Sequence, residues 1–101
     1  MSKIHPISYL ILFLILFFIT TNLNASNEQR MLMLASPCAG CHGPDGISPG
    51  SIPSLSGKEP KYISMLMKAY KSDKQKASVM NRIAKGYTDE EIELISQAFK
   101  K

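Results

Sequence analysis

Two cysteines and a histidine lie within five consecutive residues, Cys38-Ala39-Gly40-Cys41-His42. The spacing Cys-x-x-Cys-His is typical of covalent haem attachment, in which two thiols bond the porphyrin and the histidine coordinates its iron. Two intervening residues let one turn of chain present both sulfurs to one edge of the porphyrin, and the adjacent imidazole then lies beneath the ring. The motif therefore predicts one covalent haem c, bound through Cys38 and Cys41, with His42 as an axial iron ligand.

Four other interpretations compete with haem attachment: a structural disulfide, a thiol-redox pair, a zinc site and chance spacing. A structural zinc site uses about four protein ligands, and the remaining histidine, His5, stands in a segment that we expect to be removed. A thioredoxin-like pair opens a helix after a strand in a βαβ unit, and no segment of this sequence alternates like a strand. The residues favour haem attachment over these alternatives.

The N-terminus carries the pattern of an export signal. Positive charge at Lys3 precedes a nearly unbroken apolar run over residues 7–19, which has the length of a signal-peptide core and is short for a membrane span. The sequence then turns polar and reaches the small residue Ala25. We expect residues 1–25 to be a secretory signal peptide and residues 26–101 to be the mature domain, located in the bacterial periplasm. An uncleaved membrane anchor is the alternative.

The 101 residues are enough for one small domain. Removal of residues 1–25 takes away Lys3 and leaves 11 basic and 8 acidic side chains, a formal charge of +3. This composition is mildly basic and is not typical of nucleic-acid binding. A domain of this size buries little surface and usually needs reinforcement, so we expect the haem-free chain to be largely unfolded.

Three helices are expected around the Cys-x-x-Cys-His motif. Asn27 is a candidate cap for a helix over residues 28–35, which Pro37 should end or kink. A second helix is expected over residues 59–70, because apolar side chains recur there at helical spacing. Thr88 and Glu91 have the form of a capping box that opens the last helix, whose apolar face consists of Ile92, Ile95, Ala98 and Phe99.

The other segments read as turns. Gly, Pro and Ser dominate residues 43–57, which indicates an ordered loop. We expect the Pro53 carbonyl of this loop to accept a hydrogen bond from His42, because haem-ligating histidines usually donate their second ring N–H; the alternative is that Pro53 only stiffens the loop. A short helical turn within residues 79–87 is expected to end at Gly86 in a left-handed cap.

Taken together, the motifs resemble those of a known family, the small bacterial class I cytochromes c. The matching runs are Cys38-x-x-Cys41-His42-Gly43-x-Asp45-Gly46, Ile52-Pro53-x-Leu55-x-Gly57, Tyr62-Ile63, and Met80-x-x-Ile83-Ala84-x-Gly86-Tyr87-Thr88-Asp89-x-Glu91-Ile92. The resemblance covers residues 35–99. It implies an all-α, small class I cytochrome c fold, with three to four short helices wrapped around one covalent haem. Relatives often have a longer first helix with a glycine contact, and no glycine precedes Gly40 here.

Met80 matches the family's second iron ligand, opposite His42. Independently, it follows a polar stretch and lies across the chain from the motif, whereas Met65 and Met67 stand in a helical stripe, where methionine usually fills the core. Met31 and Met33 are likewise expected in the core. The predicted haem pocket consists of Ile52, Pro53, Leu55, Ile63 and Ile83.

His and Met ligation together would leave iron no vacant position, so the predicted function is electron transfer and the chain is not expected to be an enzyme by itself. Within the family, the runs Arg82-Ile83-Ala84-Lys85-Gly86-Tyr87 and Pro49-Gly50-Ser51-Ile52-Pro53-Ser54-Leu55 resemble the cytochrome subunits of flavocytochrome c sulfide dehydrogenases, which implies a redox partner containing FAD. The alternatives are a free soluble carrier, an open-site peroxidase or gas sensor if Met80 is not a ligand, and a redox or metal-binding thiol pair if no haem attaches.

Six lysines within residues 58–76 are candidates for a positive rim that attracts an acidic partner. An ordinary solvated lysine face is the alternative. These residues are Lys58, Lys61, Lys68, Lys71, Lys74 and Lys76.

Overall fold

The computed structural model describes residue 3 and residues 5–101, without the side chains of residues 20–25. Within that part the chain is helical and has no strand, which agrees with the predicted all-α fold. The α-helices are α1 (Pro6–Ala35), α2 (Ala39–His42), α3 (Pro60–Lys71), α4 (Met80–Ala84) and α5 (Asp89–Gln97). Two 3₁₀ turns, Ser36–Cys38 and Pro44–Gly46, flank α2.

Helix α1 starts earlier than the sequence predicted. It runs unbroken from Pro6, whose missing N–H is tolerated in a first turn, and Asn27 lies in its interior. The predicted helix start at Asn27 is therefore wrong, because the apolar residues before it are already helical and no new cap is needed. The end is as predicted, since α1 stops at Ala35 and a 3₁₀ turn containing Pro37 follows.

The apolar side chains of residues 7–19 are exposed. Of the residues that the structure describes, none belong to a helix with both the length and the hydropathy needed to cross a membrane. The division into a signal peptide of residues 1–25 and a mature domain of residues 26–101 stays a prediction.

The core lies where α5 packs on the end of α1 and on α3. Ile92 and Ile95 of α5 are almost fully buried, and Phe99 follows on the same face, as predicted. Burial of each such aliphatic side chain contributes roughly 1.5–3 kcal/mol. The remaining buried apolar residues are Ala35, Ile63, Met67 and Ala84.

The methionines of α1 and α3 are divided between core and surface. Met67 is buried as predicted, whereas Met65 is 58% exposed. Met31 is half-buried, and Met33 is 76% exposed, so its predicted place in the core is wrong. The reason is helical register: the inward face passes through residues 31, 34 and 35, and residue 33 lies off it.

The start of α5 has the predicted capping box. The Thr88 hydroxyl accepts a hydrogen bond from the Glu91 N–H at 3.2 Å, and the Glu91 carboxylate accepts one from the Thr88 N–H at 2.9 Å. Acidic residues in this first turn also interact favourably with the positive end of the helix dipole. The capping box thereby fixes the point at which α5 begins to pack on the other helices.

Helices α3 and α5 are also joined by polar contacts. The buried hydroxyl of Ser64 donates to the Glu93 carboxylate at 2.6 Å, and the Lys68 ammonium donates to the same oxygen. Lys71 forms an ion pair with Asp89 at 3.0 Å. Two of the six rim lysines are therefore paired with acidic residues.

Helix α4 ends without the predicted left-handed glycine. The Gly86 N–H donates to the Ile83 carbonyl at 3.0 Å, and the Tyr87 N–H donates to the Ala84 carbonyl at 3.2 Å. The glycines that the structure describes with positive φ are Gly43, Gly46 and Gly57. The prediction for Gly86 is wrong because a tight 3₁₀-type turn satisfies these carbonyls without a left-handed residue.

Candidate functional site

The Cys-x-x-Cys-His motif forms one continuous helical turn. Cys38 ends the 3₁₀ turn after α1, and Cys41 and His42 belong to α2. Both thiols are free; Cys38 is half-buried and packs against the core, whereas Cys41 is exposed. Burial raises the pKa of the Cys38 thiol. The motif thus offers two unpaired sulfurs from one turn, as the spacing predicted.

His42 is oriented by the loop that follows it. Its Nδ1 atom lies 2.6 Å from the carbonyl oxygen of Pro53. A carbonyl oxygen only accepts hydrogen bonds, so this contact requires a proton on Nδ1, and in the neutral ring the lone pair then lies on Nε2. The neutral imidazole therefore has Nε2 available to bind a metal, and the predicted hydrogen bond to the Pro53 carbonyl is confirmed.

Two glycines shape the loop that presents Pro53. Gly43 has φ +88°, and a Cβ atom there would lie 1.8 Å from the Ile47 carbonyl oxygen. Gly46 has φ +73°, and its Cβ would lie 2.7 Å from a ring carbon of Phe99. Glycine is required at both positions, because side chains rarely adopt this conformation and no space is available.

Hydrogen bonds close the same loop. The Gly46 carbonyl accepts from the N–H groups of Leu55 and Ser56, at 2.7 Å and 3.0 Å. The Ser54 hydroxyl accepts from the Ser48 N–H at 2.9 Å. The position of Pro53 is consequently set by contacts that lead from Phe99 in the core through Gly46 to the far side of the loop.

Met80 is the first residue of α4 and is half-buried. Its side chain packs against the same core as Cys38 and Leu55. The structure therefore places Met80, the first cysteine and the loop side chain around one apolar core, although they are distant in sequence. Sequence reasoning missed the neighbouring Asn81, whose contacts are described below.

The predicted pocket residues differ in their surroundings. Ile63 is buried in the core, and Leu55 is half-buried against it. Ile52 and Ile83 remain 42% and 39% exposed, and Pro53 is exposed as well. Exposed aliphatic side chains of this kind are available to pack on an apolar ring.

In the described part of the chain, no group of three His, Cys, Asp or Glu side chains is placed to hold a metal ion.

A surface groove of 480 Å³ lies between the end of α1 and the C-terminus and is lined by Asp45, Ile47 and Phe99. Neither cysteine nor His42 lines this groove, so the groove is not the site formed by the Cys-x-x-Cys-His motif.

Comparison with known proteins agrees with this description. The family model for cytochrome c matches residues 30–97. The cytochrome subunit of sulfide dehydrogenase from Chlorobaculum tepidum is 49% identical over 72 residues, a match that covers 71% of this chain and 66% of the relative. The chain therefore spans slightly less than two thirds of that relative's length. With its free cysteine pair, oriented histidine and helical fold, the chain belongs to the cytochrome c family, whose cofactor is covalently bound haem c.

Proposed function

We propose that this chain is a one-electron carrier in which Cys38 and Cys41 bond the haem while His42 and Met80 coordinate its iron. The observation that carries the proposal is the hydrogen bond between His42 Nδ1 and the Pro53 carbonyl. It fixes the tautomer in which Nε2 is a ligand and increases the electron donation of the ring.

The residues also define what the site excludes. The haem supplies reversible one-electron chemistry at iron. His42 would supply a nitrogen ligand and Met80 a thioether ligand to the iron, a set that would favour the reduced state relative to two nitrogen ligands and would leave no position for oxygen or peroxide. The chain itself would hold these ligands in place, and exposed aliphatic side chains such as Ile52 and Ile83 would pack on the ring.

We further propose that the electrons come from a flavoprotein that oxidises sulfide. The relative from Chlorobaculum tepidum supports this partner, because it is the cytochrome subunit of a sulfide dehydrogenase. Residues 1–25 would direct the chain to the periplasm as a cleaved signal peptide, or keep it at the outer face of the membrane as an anchor. The rest of the chain would be the electron-accepting domain in either case.

The partner is tested by purifying the haem-loaded protein from its native host and identifying what accompanies it. We expect a flavoprotein to co-purify, and we expect sulfide to reduce the haem only when that flavoprotein is present. Efficient exchange of electrons with respiratory proteins, without a flavoprotein partner, would instead identify a free soluble carrier. Export and cleavage are tested by determining the N-terminus of the periplasmic protein.

A further inference from the structure

The segment that leads into Met80 lacks regular structure. Residues 72–79 connect α3 to α4 and are exposed, and Asp73 among them has a left-handed backbone with φ 60°. An exposed connection of this kind opens easily unless specific contacts close it. A methionine at its end stays bound to iron only if the segment is fixed in place.

The side chain of Asn81, next to Met80, supplies such contacts. Its amide oxygen accepts from the Ala77 N–H at 2.8 Å. Its amide nitrogen donates to the carbonyls of Tyr70 and Gln75, at 3.0 Å and 2.7 Å. One half-buried side chain therefore connects the end of α3, the middle of the segment and the start of α4.

The contacts fit an asparagine in particular. The amide has one acceptor atom and two N–H donors, and the three backbone partners are one N–H and two carbonyls. An aspartate would lack both donors, and a serine would supply a single hydroxyl. The residue is thus matched to its partners in number and in kind.

The segment has other contacts as well; the Val79 carbonyl accepts from the Arg82 N–H at 2.9 Å, within the first turn of α4. Lys85 forms an ion pair with Asp73 at 2.7 Å, but both side chains are about half exposed, so solvent and salt weaken the attraction. The Gln75 N–H donates to the Ala69 carbonyl at 3.2 Å. Tyr70, in contrast, packs against the core, so the bond from Asn81 to its carbonyl attaches α4 to a fixed part of the protein.

We infer that Asn81 is a positioning residue for the iron ligand Met80, which it holds by closing residues 70–81 into one hydrogen-bonded unit. This inference rests on the proposed ligation by Met80. Loss of the amide should leave the helical core intact while residues 72–80 open more often. The sulfur would then leave iron more often, and added ligands would gain access.

The test uses the haem-loaded full chain with Asn81→Ala and the milder variant Asn81→Ser. The measurements are the absorption band of iron–sulfur ligation, the affinity of the oxidised protein for imidazole, and unfolding in urea. Loss of about three hydrogen bonds should raise the apparent imidazole affinity by about 10- to 100-fold in Asn81→Ala, with an intermediate increase in Asn81→Ser.

Ser64→Ala is the matched control, because it removes a side-chain hydrogen bond that joins α3 to Glu93 of α5 and not to the 70–81 unit. It should lower resistance to urea without changing imidazole affinity. Imidazole affinity of Asn81→Ser within about twofold of the unmodified protein, or an equal rise in Ser64→Ala, would overturn the inference. A missing iron–sulfur band in the unmodified protein would instead contradict the ligation by Met80.

Discussion

His42 donates a hydrogen bond from Nδ1 to the carbonyl oxygen of Pro53, 11 residues later, at 2.6 Å. This contact connects a helical turn to a loop that is anchored in the core through Gly46 and Phe99. The orientation of the proposed iron ligand therefore depends on a packing contact far from the cysteines.

Substitution of Gly46 tests whether the loop depends on its packing against Phe99. Gly46→Ala should destabilise the protein by about 1–3 kcal/mol or more, because the residue has positive φ and its Cβ would collide with Phe99. Urea unfolding of the haem-loaded protein measures the change. Gly50→Ala in the same loop is the control, since a Cβ there meets nothing within 4 Å. Equal stability of the two variants would show that the Gly46–Phe99 contact does not anchor the loop.

Substitution of Met80, the second proposed ligand, should leave a free coordination position on the iron. In Met80→Ala we expect loss of the iron–sulfur absorption band, a lower haem potential and binding of carbon monoxide by the reduced protein. Met65→Ala serves as the control, because Met65 is an exposed methionine of α3. If Met80→Ala kept the band, another side chain would be the ligand.

The haem should also be required for folding. In the double variant Cys38→Ser, Cys41→Ser no covalent haem can form, and a chain with so small a core is expected to lose most of its helical circular dichroism. The comparison is the same measurement on the haem-loaded protein. A compact, cooperatively unfolding, haem-free variant would show that the helices are stable without the cofactor.

Acidification should weaken the contact between α3 and α5. The hydrogen bond from Lys68, with a further one from Ser64, lowers the pKa of Glu93, and the bond to Glu93 raises the pKa of Lys68. A lowered carboxyl pKa contributes stability above the group's ordinary pKa, and that contribution is lost as pH falls through the lowered value. The raised Lys68 pKa acts in the opposite sense, so its contribution is lost as pH rises through the raised value.

Glu93→Gln should therefore flatten the acid side of the stability–pH profile, measured by urea unfolding at a series of pH values. The effect should be small and should decrease with added salt, because the side chains are exposed to solvent. Glu90→Gln removes the same charge from the first turn of α5, where no lysine of the described residues pairs with it, and so separates the effect of the helix dipole from that of the Lys68–Glu93 ion pair. An unchanged profile in Glu93→Gln would mean that the ion pair contributes nothing measurable.

The features predicted correctly from sequence are those encoded by neighbouring residues. The helical turn that carries both cysteines, the Thr88 capping box and the apolar stripe of α3 each follow from short-range geometry. The hydrogen bond to Pro53 followed from the chemistry of a ligating histidine.

The features that were missed depend on tertiary context. Asn27 has the chemistry of a capping residue but lies in the interior of α1, which begins at Pro6. Gly86 stands at a helix end that closes by another turn type. Asn81 gave no sequence signal, because one of its partners is 11 residues away and its role appears only when α4 lies beside α3.

We propose that His42 and Met80 together leave the iron no free position, so that it exchanges only electrons. The most direct measurement is the absorption spectrum of the purified, haem-loaded protein, oxidised and then reduced under carbon monoxide. We predict an iron–sulfur band in the oxidised spectrum and no change when carbon monoxide is added to the reduced protein. An oxidised form without that band, together with a reduced form that binds carbon monoxide, would show that Met80 does not coordinate the iron.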